Sequence, residues 1–138
     1  MPLLESTYIR PFWMANKHLE TIYPALFRPD AQIEAERERL ELPDGDFLDL
    51  DWYKQGSNKL IVLSHGLEGS SSSPYIKWMA KRLFAAGWDV LAWNYRGCSD
   101  TPNRLKRFYH SGETNDLRSL LALAVIPKPY TDFALLGF

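Results

Sequence analysis

The sequence predicts an α/β fold in which a β-hairpin leads into a mostly parallel sheet with helices on its faces. Three observations support this class. Apolar and polar residues alternate between positions 37 and 53, a strand–helix–strand pattern occupies positions 59–93, and a second helix followed by an apolar strand occupies positions 112–136. Strands that alternate with helices are typical of βαβ units and parallel sheets.

Residues 1–35 form an N-terminal arm without a clean period and with four prolines. Prolines at this density break regular elements, so we predict an irregular arm with about one helical turn near residues 15–21. Its apolar side chains are too numerous to remain in water, and we expect the arm to pack on a core formed by residues 36–138. Those side chains are Phe12, Trp13, Ile22, Tyr23, Leu26 and Phe27.

The alternating segment predicts a hairpin. Leu40 and Leu42 lie on one face of the first strand, and Phe47 begins the second. The residues between them, 43–46, read Pro-Asp-Gly-Asp, and Gly45 suits a positive φ angle at the turn.

The next segment predicts a right-handed βαβ unit. Residues 59–63 and 89–93 are short apolar runs of the kind buried in parallel sheets. Ser73 is a good N-cap, Pro74 suits the first helical position, and Gly87 suits the position after the helix. The apolar face of this helix consists of Ile76, Met79, Ala80 and Leu83.

A second helix is predicted from about residue 112 to residue 124, with Glu113 and Asp116 near its positive end. Pro127 and Pro129 end it. Residues 131–136 then form a third parallel strand whose free edge lacks a charge or a covering helix. We therefore expect a sheet that is incomplete at the C-terminal end.

Composition excludes several classes. With 46% hydrophobic and 24% charged residues, the 138-residue chain has the profile of one globular domain. A formal net charge of −1 offers no basic field for nucleic acid. Neither a signal peptide nor a membrane span is recognisable, and the single cysteine, Cys98, fits a cytoplasmic protein.

The loop at residues 64–70, Ser-His-Gly-Leu-Glu-Gly-Ser, is the strongest candidate site. It follows a buried strand, and open α/β sheets bind ligands at that end of the strand. The loop could cradle an oxyanion or phosphate, or be a tight turn without a ligand. Nucleotide binding is disfavoured because the P-loop lysine and the G-x-G-x-x-G spacing are missing.

Metal binding and nucleophilic catalysis have weaker support. His18, His65 and His110 are too far apart in sequence for a zinc motif, and no metal or other cofactor is expected. Residues 70–73 are four serines that suit a turn and a helix cap, and no G-x-S-x-G motif occurs. Cys98 has no adjacent candidate base.

Four motifs in order resemble the YheT-like branch of α/β-hydrolase-fold esterases. They are NKHLET at 16–21, LSHGLEGSSSSPY at 63–75, NYRGCSDTPN at 94–103 and YHSGETNDL at 109–117. The resemblance covers nearly the whole chain. One departure is Asp100, where the branch more usually has glycine.

The resemblance implies the N-terminal half of a serine hydrolase of the carboxylesterase or lipase type. His65 and Gly66 would shape the oxyanion loop, and the N–H of Leu67 would be one oxyanion donor. The nucleophile, acid and histidine would come after Phe138, so this chain has no catalytic residues and is expected to be inactive alone.

The partners implied are an acyl ester or lipid-like molecule for the complete enzyme, and a complementing or second chain at the strand edge near Phe133–Phe138. Two alternatives remain: a non-catalytic interaction module that pairs through this edge, and an anion-binding protein that uses the loop.

Overall fold

A computed structural model describes residues 6–14, 16–27, 29, 31–110 and 112–138, and its centre is a five-stranded sheet. The strands, in chain order, are β1 (Glu36–Glu41), β2 (Phe47–Tyr53), β3 (Lys59–Ser64), β4 (Asp89–Trp93) and β5 (Asp132–Gly137). Their order across the sheet is β1-β2-β4-β3-β5. The β1/β2 and β2/β4 pairs are antiparallel, whereas β3 is parallel to both β4 and β5. The predicted fold class is confirmed, with the hairpin making the sheet mixed.

The hairpin turns at the predicted residues. Gly45 has a φ of +85°, and its N–H donates to the carbonyl of Leu42 at 3.0 Å. Every residue of β2 is buried, including two aspartates. Asp49 and Asp51 are tolerated there because Arg39 and Arg37 of β1 form bidentate ion pairs with them, at 2.7 to 3.0 Å.

Helix α2 (Pro74–Ala85) connects β3 to β4 and begins at the predicted proline. Gly87 has a φ of +85° after its end, as the sequence predicts. The proposed cap is wrong in detail. The Ser73 hydroxyl accepts from the N–H of Ser70 at 2.9 Å and makes no hydrogen bond to the helix.

Helix α3 (Asn115–Leu120) is shorter than predicted and continues as a π-helical turn over Leu121–Val125. It begins at Asn115 rather than near residue 112. Glu113 precedes the first turn, and its carboxylate accepts from the N–H groups of Asn115 and Asp116 at the start of the helix. The N–H of Ile126 donates to the carbonyl of Leu121 at 2.8 Å, which is the wide π spacing.

Two apolar cores lie on opposite faces of the sheet. On one face α3 and the π turn cover a cluster that includes Leu50, Trp52 and Trp93. On the other face Ile76 and Ala80 of α2 pack with Leu63 of β3 and Val90 of β4. β5 pairs with β3 and is an edge strand among the described residues, with Phe133 and Leu135 about half exposed.

The N-terminal arm differs from the prediction. It contains a 3-10 turn (Phe12–Met14) and an eleven-residue helix, α1 (Lys17–Phe27), where one turn was expected. Asn16 explains the start of α1, because its side-chain oxygen accepts from the N–H of His18 at 2.9 Å.

Several described apolar side chains of this arm are exposed in the structure. Phe12 and Leu26 are 92% and 70% exposed, and the aromatic rings of Trp13, Tyr23 and Phe27 contact one another. The end of the arm nearest the sheet is held by α2, whose side chains donate to the carbonyls of Pro29 and Ala31. Within the part of the chain that the structure describes, no helix is long and apolar enough to cross a membrane.

Candidate active site

The carboxyl ends of the three parallel strands meet at a cleft of about 800 Å³. The loop after β3, the turn after β4, residues 108–110 and Phe138 after β5 line it. His65, Gly66 and Leu67, the site residues expected from the sequence, all line this cleft. His18 lies away from it on α1, and no three metal-binding side chains cluster among the described residues.

His65 fixes the start of the loop. Its ring is 3% exposed; Nδ1 donates to the carbonyl of Gly66 at 2.8 Å, and Nε2 accepts from the N–H of Tyr95 at 3.2 Å. Burial lowers the pKa of His65, although the hydrogen bond to Gly66 opposes this. Because both ring nitrogens already form hydrogen bonds to the backbone, His65 stabilises the structure of the cleft and is not positioned as a general base.

The backbone N–H of Leu67, a residue that lines the cleft, differs from those of its two neighbours. The N–H of Gly66 donates to the Tyr75 hydroxyl at 2.9 Å, and the N–H of Glu68 donates to the Tyr109 hydroxyl at 2.8 Å. Between them, no hydrogen bond joins the N–H of Leu67 to any other described residue, and its side chain is 87% exposed. An N–H without an internal partner can donate to an anion.

Gly69 is required for this tight loop. A Cβ atom at this position would collide with the Tyr75 hydroxyl and would lie 3.1 Å from the carbonyl of Gly66. The N–H of Gly69 donates to that same carbonyl at 3.0 Å. The loop therefore closes on itself as a turn that only glycine fits.

Tyrosine rings form a wall of the cleft that the sequence argument missed. The Tyr95 and Tyr109 rings stack with their centres 4.9 Å apart and 20° between their planes. His65 meets Tyr95 edge-on at 4.8 Å. The only sequence signal was that both tyrosines lie inside motifs of the resemblance, because no spacing rule relates positions 95 and 109.

Cys98 lies in the cleft but is not an activated nucleophile. Burial raises the pKa of its thiol, although a hydrogen bond with Tyr109 opposes the shift. Its own backbone N–H donates to the carbonyl of Tyr95 at 3.0 Å, which forms the turn after β4.

The serine run is structural. Ser71 is buried, and its N–H and hydroxyl both donate to the side-chain oxygen of Asn94. The Asn94 amide in turn donates to the carbonyl of Asp49 at 3.0 Å. These bonds fix the loop after β3 to the adjoining strands.

A buried ion-pair cluster lies next to the turn after β4 that lines the cleft. Arg96, 2% exposed, forms a bidentate pair with Asp116 of α3 at 2.7 and 2.8 Å. Its remaining nitrogen contacts Asp44 at 2.7 Å and Asp46 at 3.1 Å, both in the hairpin turn. These hydrogen bonds, with that to Asp116 the strongest, raise the pKa of Arg96. One guanidinium thus joins β4, α3 and the hairpin.

Asp100, where the resemblance implies glycine, takes part in a surface ion pair. Its carboxylate is 81% exposed and contacts Arg37 at 2.9 Å. The turn itself is set by Gly97, with a φ of +79°, whose N–H donates to the side chain of Asn103.

Comparison with known proteins identifies proteins that are similar to this chain. No protein-family model matches the chain. It is 46% identical over 106 residues to the protein named "Putative esterase YheT" of Escherichia coli (strain K12), covering 74% of this chain and 31% of that protein. It is 34% identical over 128 residues to "Embryogenesis-associated protein EMB8" of Picea glauca, covering 81% of this chain and 28% of that one.

Among solved structures, XC6422 of Xanthomonas campestris, described as an α/β serine hydrolase without a lid, superposes with a TM-score of 0.62. The match is 24% identical and covers 80% of this chain and 53% of that one. This likeness shows the fold.

Sheet order and the position of the cleft thus define an α/β-hydrolase fold. The resemblance to its YheT-like branch, predicted from the four motifs, is confirmed by the curated relatives. The chain spans about 31% of the length of the E. coli relative and 28% of the spruce one.

Proposed function

We propose that this chain is the oxyanion-loop part of a serine hydrolase of the carboxylesterase or lipase type, which acts on acyl esters when complete. The observation that carries the proposal is the Leu67 N–H, which has no hydrogen-bond partner among the described residues and belongs to a residue that lines a cleft at the ends of β3, β4 and β5. A backbone donor in that position suits the oxyanion of a tetrahedral intermediate. Aromatic rings along the cleft suit an apolar acyl or alcohol group.

We also propose that the 138 residues hydrolyse no ester by themselves. They contain no G-x-S-x-G motif, and the two ring nitrogens of His65 bond to backbone groups of Gly66 and Tyr95 rather than to a serine hydroxyl. The serine, acid and histidine of a triad would be supplied from outside these residues, either later in a longer polypeptide or by a complementing chain. A cytoplasmic location is part of this proposal, supported by the single cysteine.

A second candidate function is a non-catalytic interaction module. β5 is an edge strand among the described residues, and Phe133 and Leu135 project half-exposed from it. Exposed apolar edge strands pair readily with other chains. A complementing chain or a second copy would bind near Phe133–Phe138.

The native protein decides between these candidates. We would isolate it from its own cells with an antibody against this chain, and then measure its intact mass and its labelling by a fluorophosphonate probe. The hydrolase proposal predicts a labelled species, either above 16.0 kDa or as a bound partner, and no labelling of the isolated 138 residues.

A native species of 16.0 kDa with no labelled partner would contradict the hydrolase proposal and favour the interaction module. Labelling of the isolated chain would instead show that a nucleophile lies within it.

A further inference from the structure

The hydroxyls of Tyr75 and Tyr109 lie on either side of the candidate oxyanion donor. Tyr75 accepts from the N–H before Leu67 at 2.9 Å, and Tyr109 accepts from the N–H after it at 2.8 Å. Three consecutive N–H groups therefore divide into two that are bonded to tyrosine and one, at Leu67, with no partner among the described residues.

The two tyrosines reach the loop from different elements. Tyr75 is the second residue of α2, whereas Tyr109 lies in the connection between β4 and α3. Each ring is fixed by a neighbour. Tyr75 meets Phe138 edge-on with ring centres 5.0 Å apart, and Tyr109 stacks on Tyr95 at 4.9 Å. Rings held in this way place their hydroxyls with little freedom, which makes them suitable as fixed acceptors.

The backbone of the loop needs such support. Glu68 has a φ of +54°, which is uncommon for a residue other than glycine. Relaxation of this residue would turn the peptide groups on either side of it. The hydrogen bond from its N–H to Tyr109 opposes that relaxation, and the bond from Gly66 to Tyr75 fixes the other end of the same turn.

We propose that Tyr75 and Tyr109 are positioning residues that hold the loop so that the N–H of Leu67 alone remains available to an oxyanion. Neither is a catalytic residue, because each acts through the loop backbone. We call these two hydrogen bonds, from Gly66 to Tyr75 and from Glu68 to Tyr109, the clamp. A contribution of the clamp to catalysis rests on the function proposed above, whereas the existence of the clamp does not.

Residue-resolved hydrogen–deuterium exchange of the 138-residue chain tests the clamp without any catalytic activity. In the wild-type chain we expect slow exchange at Gly66 and Glu68 and fast exchange at Leu67. Tyr75→Phe should speed exchange at Gly66, and Tyr109→Phe should speed it at Glu68, each about fivefold to tenfold for one lost hydrogen bond. Each variant should leave the other clamped amide within about twofold of wild type.

Tyr130→Phe is the matched control, because the Tyr130 hydroxyl donates to Asp89 at 2.9 Å, away from the loop. It should leave Gly66 and Glu68 unchanged. The amides of Ile61 and Val62 in β3 report whether each variant keeps the fold. Unchanged exchange at Gly66 and Glu68 in both variants, or equal acceleration of both amides in either variant or in the control, would overturn the proposal.

A kinetic readout connects the clamp to catalysis if the native protein proves to be an esterase. In that complete enzyme, both phenylalanine variants should lower kcat about tenfold or more with KM within about twofold, because a displaced donor weakens transition-state stabilisation. Faster exchange at Gly66 and Glu68 with unchanged kcat would support the clamp but contradict its role in catalysis. Absence of esterase activity in the wild-type protein would contradict the proposed function alone.

Discussion

At the scale of single residues, His65 shows how a side chain that looks catalytic can be structural. Its ring is buried, and both nitrogens hydrogen-bond to backbone groups of the cleft. Protonation would place a second proton on Nε2, which now accepts from the N–H of Tyr95. Burial of the ring disfavours its charged form and lowers the pKa of His65 below its ordinary value of 6.5, although the hydrogen bond to Gly66 opposes this shift.

This shift predicts a loss of stability in mild acid. A group whose pKa is lowered by folding stabilises the protein above its unfolded pKa, and the stabilisation is lost as the pH falls through the folded value. The free energy of unfolding should therefore decline below about pH 6.5, before most carboxylates titrate. Urea denaturation between pH 7.5 and 5 measures this decline.

His65→Gln is the informative variant because it removes the titration while keeping an acceptor for the Tyr95 N–H. Its unfolding free energy should change less between pH 7.5 and 5 than that of the wild type. Equal slopes in the two proteins would show that another group causes the decline.

At the scale of elements, Arg96 joins three parts of the chain that have no common backbone pairing. Its partners Asp46 and Asp116 are 0% and 2% exposed. Burial alone would raise the pKa of Asp46, but hydrogen bonds from Asn103 and the backbone, with the charge of Arg96, lower it. Loss of the guanidinium would leave these carboxylates buried without compensation.

Arg96→Met should therefore destabilise the protein by about 3 to 5 kcal/mol. Arg104→Met is the matched control, because Arg104 pairs with Glu41 at the surface and such pairs contribute about 1 kcal/mol or less. Urea denaturation of both variants gives the comparison. A difference below about 1 kcal/mol between them would contradict the role assigned to Arg96.

Sequence reasoning located elements better than the contacts between them. The hairpin turn, both βαβ strands and the start of α2 carry local signals, namely alternation, Gly45 and Pro74, and the structure agrees with each. The clamp residues Tyr75 and Tyr109 carry none, since their relation to the loop exists only after β3, α2 and β4 have packed.

The apolar side chains of the N-terminal arm show the same difference between composition and contacts. Apolar composition shows that side chains avoid water, but it does not show which surface covers them. Phe12 and Leu26 are thus exposed, although the apolar composition of the arm resembles that of a core. Helix α1 was underestimated because Pro24 lies inside it. Proline is tolerated there although it normally ends a helix.

At the scale of the whole molecule, we expect association to depend on the outer edge of β5, which pairs with no other strand among the described residues. Phe133 and Leu135 lie on the same face of β5 and are 46% and 52% exposed. Phe133 also lines an apolar groove with Val125 and Ile126 of the neighbouring turn. Contiguous exposed apolar surface next to the outer edge of an edge strand favours self-association.

We therefore expect the isolated chain to self-associate with increasing concentration, and Leu135→Lys to reduce this association. Leu105→Lys, a substitution of a similarly exposed leucine outside the sheet, is the control and should not. Sedimentation velocity over a concentration series measures both. A chain that stays monomeric throughout would show that the β5 edge does not drive association.

The position of β5 also affects the order in which the protein folds. β5 pairs with β3 across a long separation, and Asn58 contacts Thr131, 73 positions later. Contacts this far apart form slowly, because a large loop must close before they are made. β3 can pair with β4 earlier, through a much shorter connection. The part of the cleft formed by β5 and Phe138 would thus be completed late in folding. During synthesis, the loop at 64–70 would leave the ribosome well before Phe138 is available to pack against Tyr75.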